Sequence, residues 1–227
     1  MQILMRTLAA TILLAIFGLS GFFIIADERR AHDTAGADQT PGGAAATISN
    51  RTIDPAPLRL DEVFPGTGIR LATGSAPYLI GMTHIDTDCN IAATGALGTV
   101  LENHSCSQVV RASMTAPYGG YQVTAGIFNL ADEVGAAEVG EQARRLVESG
   151  DGTFAAMAPG GPGTDPLDQP LAQVGWHERG HYLTYCVIAR PDGQVVRDDD
   201  AYARRITIDL IESYLGDQII GTRTAQP

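Results

Sequence analysis

Gln173-Val174-Gly175-Trp176-His177-Glu178-Arg179-Gly180-His181-Tyr182-Leu183-Thr184-Tyr185-Cys186-Val187-Ile188 decides the fold class, because its centre admits two readings. His177-Glu178-Arg179-Gly180-His181 matches HExxH, in which two histidines one helical turn apart bind zinc and the glutamate activates the metal-bound water. That chemistry requires a helix, since only i,i+4 spacing puts both imidazoles on one face. The flanks oppose it. Both are β-branched and aromatic, and a glycine at position 180 would weaken a helix by about 1 kcal/mol. The sequence instead predicts a hairpin, with Glu178-Arg179-Gly180 as a three-residue loop and glycine where positive φ is needed. His177 and His181 are then exposed polar turn residues. A third ligand at a zincin spacing is missing: no His follows His181, and the nearest acids, Asp192 and Asp198, lie in a turn-like stretch.

Outward from this hairpin, Leu171 to Trp176 and Tyr182 to Ala189 form a strand pair. A second pair lies upstream, Ser107 to Met114 and Tyr121 to Asn129, joined by a turn with Pro117 and Gly119-Gly120. Each pair feeds a helix. Asp132 caps one, with Ala136, Val139, Ala143, Leu146 and Val147 on one face and Ser149-Gly150 at its end. Asp198-Asp199-Asp200 opens the other, with Ile206, Leu210, Ile211 and Tyr214 on its buried side. Strand, turn, strand, helix thus occurs twice, a weak internal repeat. Before it stand a strand, Tyr78 to Ile85, and a helix, Cys89 to His104, carrying Ala93, Leu97, Val100 and Leu101 at helical spacing behind Asp88 as N-cap. Hairpins alternating with helices predict an α+β domain, an antiparallel sheet with helices on one face. The order resembles a ferredoxin-like βαββαβ sandwich plus a C-terminal helix, preceded by one transmembrane helix.

That transmembrane helix is read from Thr7 to Ala26, an uncharged and mostly apolar run of 20 residues followed by Asp27-Glu28-Arg29-Arg30. At about 1.5 Å per residue a helix over it is roughly 30 Å long, the thickness of a bilayer's hydrocarbon core. A signal peptide has a shorter apolar region and a small-residue cleavage site close behind it. Here Ile24-Ile25-Ala26 puts a bulky residue where a small one is wanted, so an uncleaved single-span anchor leads and a cleaved signal is the alternative. The expected organisation is an anchor over 1–26, a flexible linker over 27–57 that is poor in large apolar residues, an extracytoplasmic domain over 58–217 and a tail over 218–227. Pro159 to Pro170 is a second glycine- and proline-rich stretch. Net charge is −11; residues 1–30 carry three Arg and two acids, so the remainder carries −12. An acidic soluble part excludes nucleic acid as a partner and argues against adhesion to anionic lipid surfaces. All 15 basic residues are Arg.

Few residues stand out as chemistry. Arg111 lies in an apolar strand between Val110 and Ala112, where an unpaired charge is costly. It points to solvent, pairs with a carboxylate, or contacts a ligand anion. Of three cysteines, Cys89 and Cys106 are the natural disulfide pair in an oxidising compartment, yet they bracket a predicted helix that would hold their Cα atoms roughly 25 Å apart. Either that helix is shorter and doubles back, or the pair is not bonded. Cys186 is a small buried hydrophobe. His84 and Asp86 share one strand face near Asp88, as ligands or more simply as helix-entry residues. The glycine-rich Gly66-Thr67-Gly68 and Gly160-Gly161-Pro162-Gly163 lack the Lys-Ser/Thr ending of a phosphate loop. No catalytic residue, metal ligand or cofactor is assigned.

Cys106-Ser107-Gln108-Val109-Val110-Arg111-Ala112, Tyr121-Gln122-Val123-Thr124-Ala125-Gly126-Ile127-Phe128-Asn129-Leu130 and Gly180-His181-Tyr182-Leu183-Thr184-Tyr185-Cys186-Val187-Ile188-Ala189-Arg190 resemble a family of actinobacterial membrane-anchored extracytoplasmic proteins. The resemblance covers most of Leu58 to Leu215 and implies location and architecture, with no catalytic residues. The leading expectation is a non-enzymatic, membrane-tethered domain, held in the lipid bilayer by its N-terminal helix, that binds a cell-surface ligand or protein. The alternatives are an exported zinc hydrolase using His177, Glu178 and His181, and a structural subunit of a membrane complex. Gly18 and Gly21 are three apart rather than the four of the close-packing motif, which gives the last little support.

Overall fold

A strand that is apolar on both faces has to be covered on both, and three such strands dictate this architecture. In the computed structural model, which describes residues 48–157 and 172–224, the chain runs α1 (Leu60–Val63), β1 (Gly68–Ile69), β2 (Tyr78–Asp86), a 3₁₀ turn (Cys89–Ala92), β3 (Ala93–Gly95), α2 (Leu97–Asn103), β4 (Gln108–Thr115), β5 (Gln122–Asn129), α3 (Glu133–Ser149), β6 (Gly152–Phe154), β7 (Gln173–Arg179) and β8 (Tyr182–Ala189). It ends in a helix, α4, made of Ala201–Thr207, a π-helical stretch Ile208–Ile220 and a last turn Gly221–Thr224. Six antiparallel strands form one sheet in the order β1-β2-β4-β5-β8-β7, and β3 pairs with β6 in a two-stranded ribbon. The α+β class and the antiparallel pairing are as the hairpin reading predicts.

Two features differ from expectation. Helices cover both faces. On one, Val109, Phe128, Leu183, Tyr185 and Val187 pack with Leu97, Leu101, Ala136, Val139, Ala143 and Phe154. On the other, Val110, Ala112, Val123, Ala125, Ile127, Cys186 and Ile188 pack with Ala203, Ile206, Leu210, Ile211, Tyr214 and Leu215 of α4. The cause is in the sequence: β8 is apolar at both parities, and every one of its residues is buried. The topology is also not ferredoxin-like. That arrangement uses split βαβ units, with parallel strands on either side of each helix. Here β2 and β4, which flank α2, are direct antiparallel neighbours, and so are β5 and β8.

The predicted helix over Cys89 to His104 is broken into the 3₁₀ turn, β3 and α2, so the chain doubles back. Cys89 and Cys106 consequently lie 6.3 Å apart at Cα and form a disulfide. Cys186 is free and buried, and burial pushes its thiol up to about 12. The helix caps follow the sequence: Asp132 accepts from the Gly135 N–H at 2.7 Å, Gly150 closes α3 in the left-handed conformation, and Asp200 accepts from Tyr202 and Ala203.

The boundaries of the folded part move outward at both ends. Residues 48–57, expected to be linker, are docked. Ile48 is 2 % exposed, Asn50 bridges Asp132, and the Arg51 N–H donates to the Ala131 carbonyl. Residues 218–224, expected to be tail, complete α4, with Ile219 and Ile220 buried. Arg223, 9 % exposed at its side chain, ties the two ends together through Asp54 and Glu62, each at 2.9 Å. Among the described residues no helix is long and apolar enough to cross a membrane. The span read at Thr7 to Ala26 and the stretch Pro159 to Pro170 lie outside the described residues.

Replacing both Cys89 and Cys106 by Ser should lower the unfolding free energy by about 3 kcal/mol, the loop-closure value for a sequence separation of 17. Urea titration reads this directly. An unchanged midpoint would show that the native protein does not depend on the bond.

Candidate functional site

Antiparallel register places five residues in one row across the sheet: His84 opposite Arg111, Arg111 opposite Gly126, Gly126 opposite Tyr185, and Tyr185 opposite Trp176. Cross-strand partners share a face, here the one that carries α2 and α3. Gly126 makes the centre of the row possible. A Cβ there would lie 2.8 Å from both the Arg111 Cβ and the Tyr185 Cε1, and 2.7 Å from the Val110 carbonyl oxygen. Its absence lets the tyrosine ring and the arginine stem close over the strand.

Arg111 is 8 % exposed, and its Nε and Nη1 make no hydrogen bond. Among the described residues it forms no ion pair. The carboxylate partner is therefore not found among the described residues, and Nη2 is not among the buried unpartnered atoms. Around it, Ser113 Oγ, the Tyr185 hydroxyl and His84 Nδ1 are also buried and unpartnered. Burial pushes the Tyr185 phenol up to about 12, while the Arg111 guanidinium, near enough to act on the hydroxyl both as a charge and as a hydrogen-bond donor, pulls the other way, so the hydroxyl stays protonated. Asp86 is held below the ordinary carboxylate value chiefly by the Asp88 amide, with only a small contribution from Arg111. The row is walled by aromatic rings: Phe128 and Phe154 stack on Tyr185 at 5.0 and 5.2 Å, and Trp176 lies 5.4 Å from Phe154. The Met157 N–H donates to Thr124 Oγ1 at 2.8 Å, which brings the segment after β6 across the same face. At its β2 end the row opens to water, where Met82 is 40 % exposed. An arginine cannot shed its proton. A buried charge without a partner costs several kcal/mol.

The polar clusters around Asp209, Asp200 and Asp88 are internally satisfied. Asp209, 3 % exposed, accepts from the hydroxyls of Tyr78 at 2.9 Å and Tyr118 at 2.8 Å and from Arg205 Nε at 2.8 Å. A cavity of about 510 Å³ beside Tyr121, Arg190, Asp192, Asp200 and Tyr202 has its acids already paired with Arg190, Tyr121 and backbone amides. Asp86 and Asp88 accept from the amides of Asp88 and Asn90, as helix-entry residues do, and His84 Nε2 stands 3.9 Å from Asp86. No group of three or more metal-ligating side chains occurs among the described residues.

The HExxH stretch is a hairpin. Arg179 pairs with Tyr182, so the loop is Gly180-His181, two residues rather than three, with Gly180 at φ 59°. Glu178 lies against Gly140 of α3, whereas its neighbour His177 points to the opposite, α4 side and is exposed. The carboxylate and that imidazole therefore sit on opposite faces of a strand, where the zincin reaction has no geometry. His181 is not an exposed turn residue: it is 0 % exposed, and its Nδ1 lies 2.8 Å from the Ile48 carbonyl oxygen. The Ile48 oxygen would stand 2.2 Å from a Cβ at residue 180, so glycine is required there for space as well as for φ. No family model matches this chain, and no curated protein and no solved structure matches it.

Arg111→Met should raise the unfolding free energy of the ligand-free protein by about 1–3 kcal/mol, because it removes an uncompensated buried charge while keeping most of the stem's packing. A loss of stability in urea titration would show that the guanidinium is paired in solution. His181 generates a pH effect. Burial lowers its affinity for a proton below the ordinary value of 6.5, with the Ile48 carbonyl opposing and Asp54, Arg51 and Arg223 acting through space. The native state holds it neutral, so its contribution is complete above that value and is lost as pH falls below it. His181→Asn should flatten the fall in stability between neutral and mildly acidic pH; equal slopes in both proteins would exclude His181 as its source.

Proposed function

We propose that this chain is a non-enzymatic, membrane-tethered binding protein whose folded part lies outside the cytoplasm and captures an anionic ligand at Arg111. The observation that carries the binding role is the buried Arg111 guanidinium, with two nitrogens unpartnered and three further unpartnered polar atoms beside it. Its charge makes the ligand-free site costly, and an incoming anion recovers that cost as affinity. Support for the location is of another kind. The apolar run from Thr7 to Ala26 has the length of a bilayer span, and the Cys89–Cys106 disulfide suits an oxidising compartment. The acidic balance disfavours nucleic acid.

Two measurements test the two halves. Protease added to intact, wall-stripped cells should digest the domain, and the chain should sediment with membranes and resist salt extraction; full protection without detergent would invert the orientation. In calorimetry on the purified full chain, an anionic metabolite pool should contain a binder, and Arg111→Gln should abolish its heat. An Arg111→Gln protein that stays folded and binds equally would remove Arg111 from the site.

A further inference from the structure

Resting on that reading of Arg111, we infer that the group it receives is the carboxylate of a small, singly charged organic acid, and not a phosphate, a sulfate or a halide. Charge balance is the first argument. Arg111 is the one arginine in the row His84, Arg111, Gly126, Tyr185 and Trp176. A single negative charge neutralises it. A dianion would leave one charge uncompensated against the aromatic wall of Phe128, Phe154 and Tyr185, where desolvation is expensive.

The second argument is the donor set. The unpartnered atoms are Nε and Nη1 of Arg111, the hydroxyls of Ser113 and Tyr185, and Nδ1 of His84. Nε and Nη1 lie on opposite edges of the guanidinium plane, and each edge is completed by Nη2. A carboxylate meets either edge with two coplanar oxygens in a fork, whereas a halide offers one acceptor only. The Tyr185 hydroxyl, kept protonated by burial, is a further donor and not a competing anion. Among the described residues no carboxylate joins the set as an acceptor, so a neutral amide, which brings donors of its own, gains less.

The third argument is the wall. Beyond the polar atoms stand Phe154 and Trp176 on one side and Met82 at the open β2 end. Of these, Trp176 and Met82 are partly exposed and can offer apolar surface to the rest of the ligand, while Phe154 is packed in the core.

The experiment uses the purified full chain in detergent with acetate as probe, at constant ionic strength, against acetamide, chloride and inorganic phosphate. Binding is read from the thermal midpoint and from the line width of ¹³C-labelled acetate. Acetate should raise the midpoint and broaden its own resonance. Acetamide should do neither, and phosphate and chloride should bind at least about tenfold more weakly, the margin of one charge-assisted hydrogen bond. Arg111→Gln should weaken acetate about 10- to 100-fold, and Tyr185→Phe about tenfold with the fold intact by circular dichroism. Should Arg111→Gln fail to fold, Tyr185→Phe carries the test alone. Tighter phosphate or chloride binding that still requires Arg111 overturns the carboxylate assignment and leaves the anion reading standing. Acetate binding indifferent to both substitutions, or no response to any anion from a folded wild-type chain, overturns the anion reading along with it.

Discussion

The exclusion of water from both faces of β4, β5 and β8 is the constraint from which the rest follows. These strands are buried at almost every position and carry apolar side chains on both faces, so a helical layer lies on each side. The sheet interior is then a region of low dielectric, and a polar side chain placed there is worth far more, or costs far more, than at the surface. Asp209 and Arg111 show the two outcomes. The carboxylate on the α4 side is fully answered by two tyrosine hydroxyls and Arg205. The guanidinium on the other side has no ion pair among the described residues, and its Nε and Nη1 make no hydrogen bond. The same scaffold braces one charge and leaves the other without an ion pair.

Much of the local structure was legible in the sequence because its causes are local. Asp132 and Asp200 cap their helices, Gly150 and Gly180 take the left-handed conformations, and the β-branched flanks of the HExxH stretch turn it into strands. The two-sided sheet was missed by the one-sided reading although its signal was present: Tyr182-Leu183-Thr184-Tyr185-Cys186-Val187-Ile188-Ala189 has no polar parity, which a sheet wet on one side would need. What could not be read depends on distant partners. Strand order is set by which edges meet, and β5 finds β8 across the whole of α3. The break between Cys89 and Asn103 depends on β3 pairing with β6, more than fifty positions away. His181 is buried because Ile48 arrives from a stretch whose composition reads as linker.

The candidate site falls between these cases. Arg111 announced itself as a charge among apolar neighbours. Its companions did not, because serine and tyrosine in a strand are ordinary, and only the register that sets Tyr185 across Gly126 from Arg111 gives them a shared purpose. A glycine in the middle of an apolar strand was the available signal, since such positions mark a close approach of neighbouring groups.

The docked segment at residues 48–54 gives the molecule a mechanical character. It is fastened by the His181 N–H and Nδ1 at the Ile48 oxygen, by the Asn50–Asp132 bridge and by the Arg51 amide, all at one end of the sheet. Tension applied at the amino end enters there, and loads a few hydrogen bonds instead of the strand ladders. Under load the segment peels first and releases slack up to the clamp of Asp54 and Glu62 on Arg223. At about 3.3–3.6 Å per extended residue, that gives the domain roughly 20 Å of give before the sheet feels any force. It is a short shock absorber in series with whatever lies before residue 48.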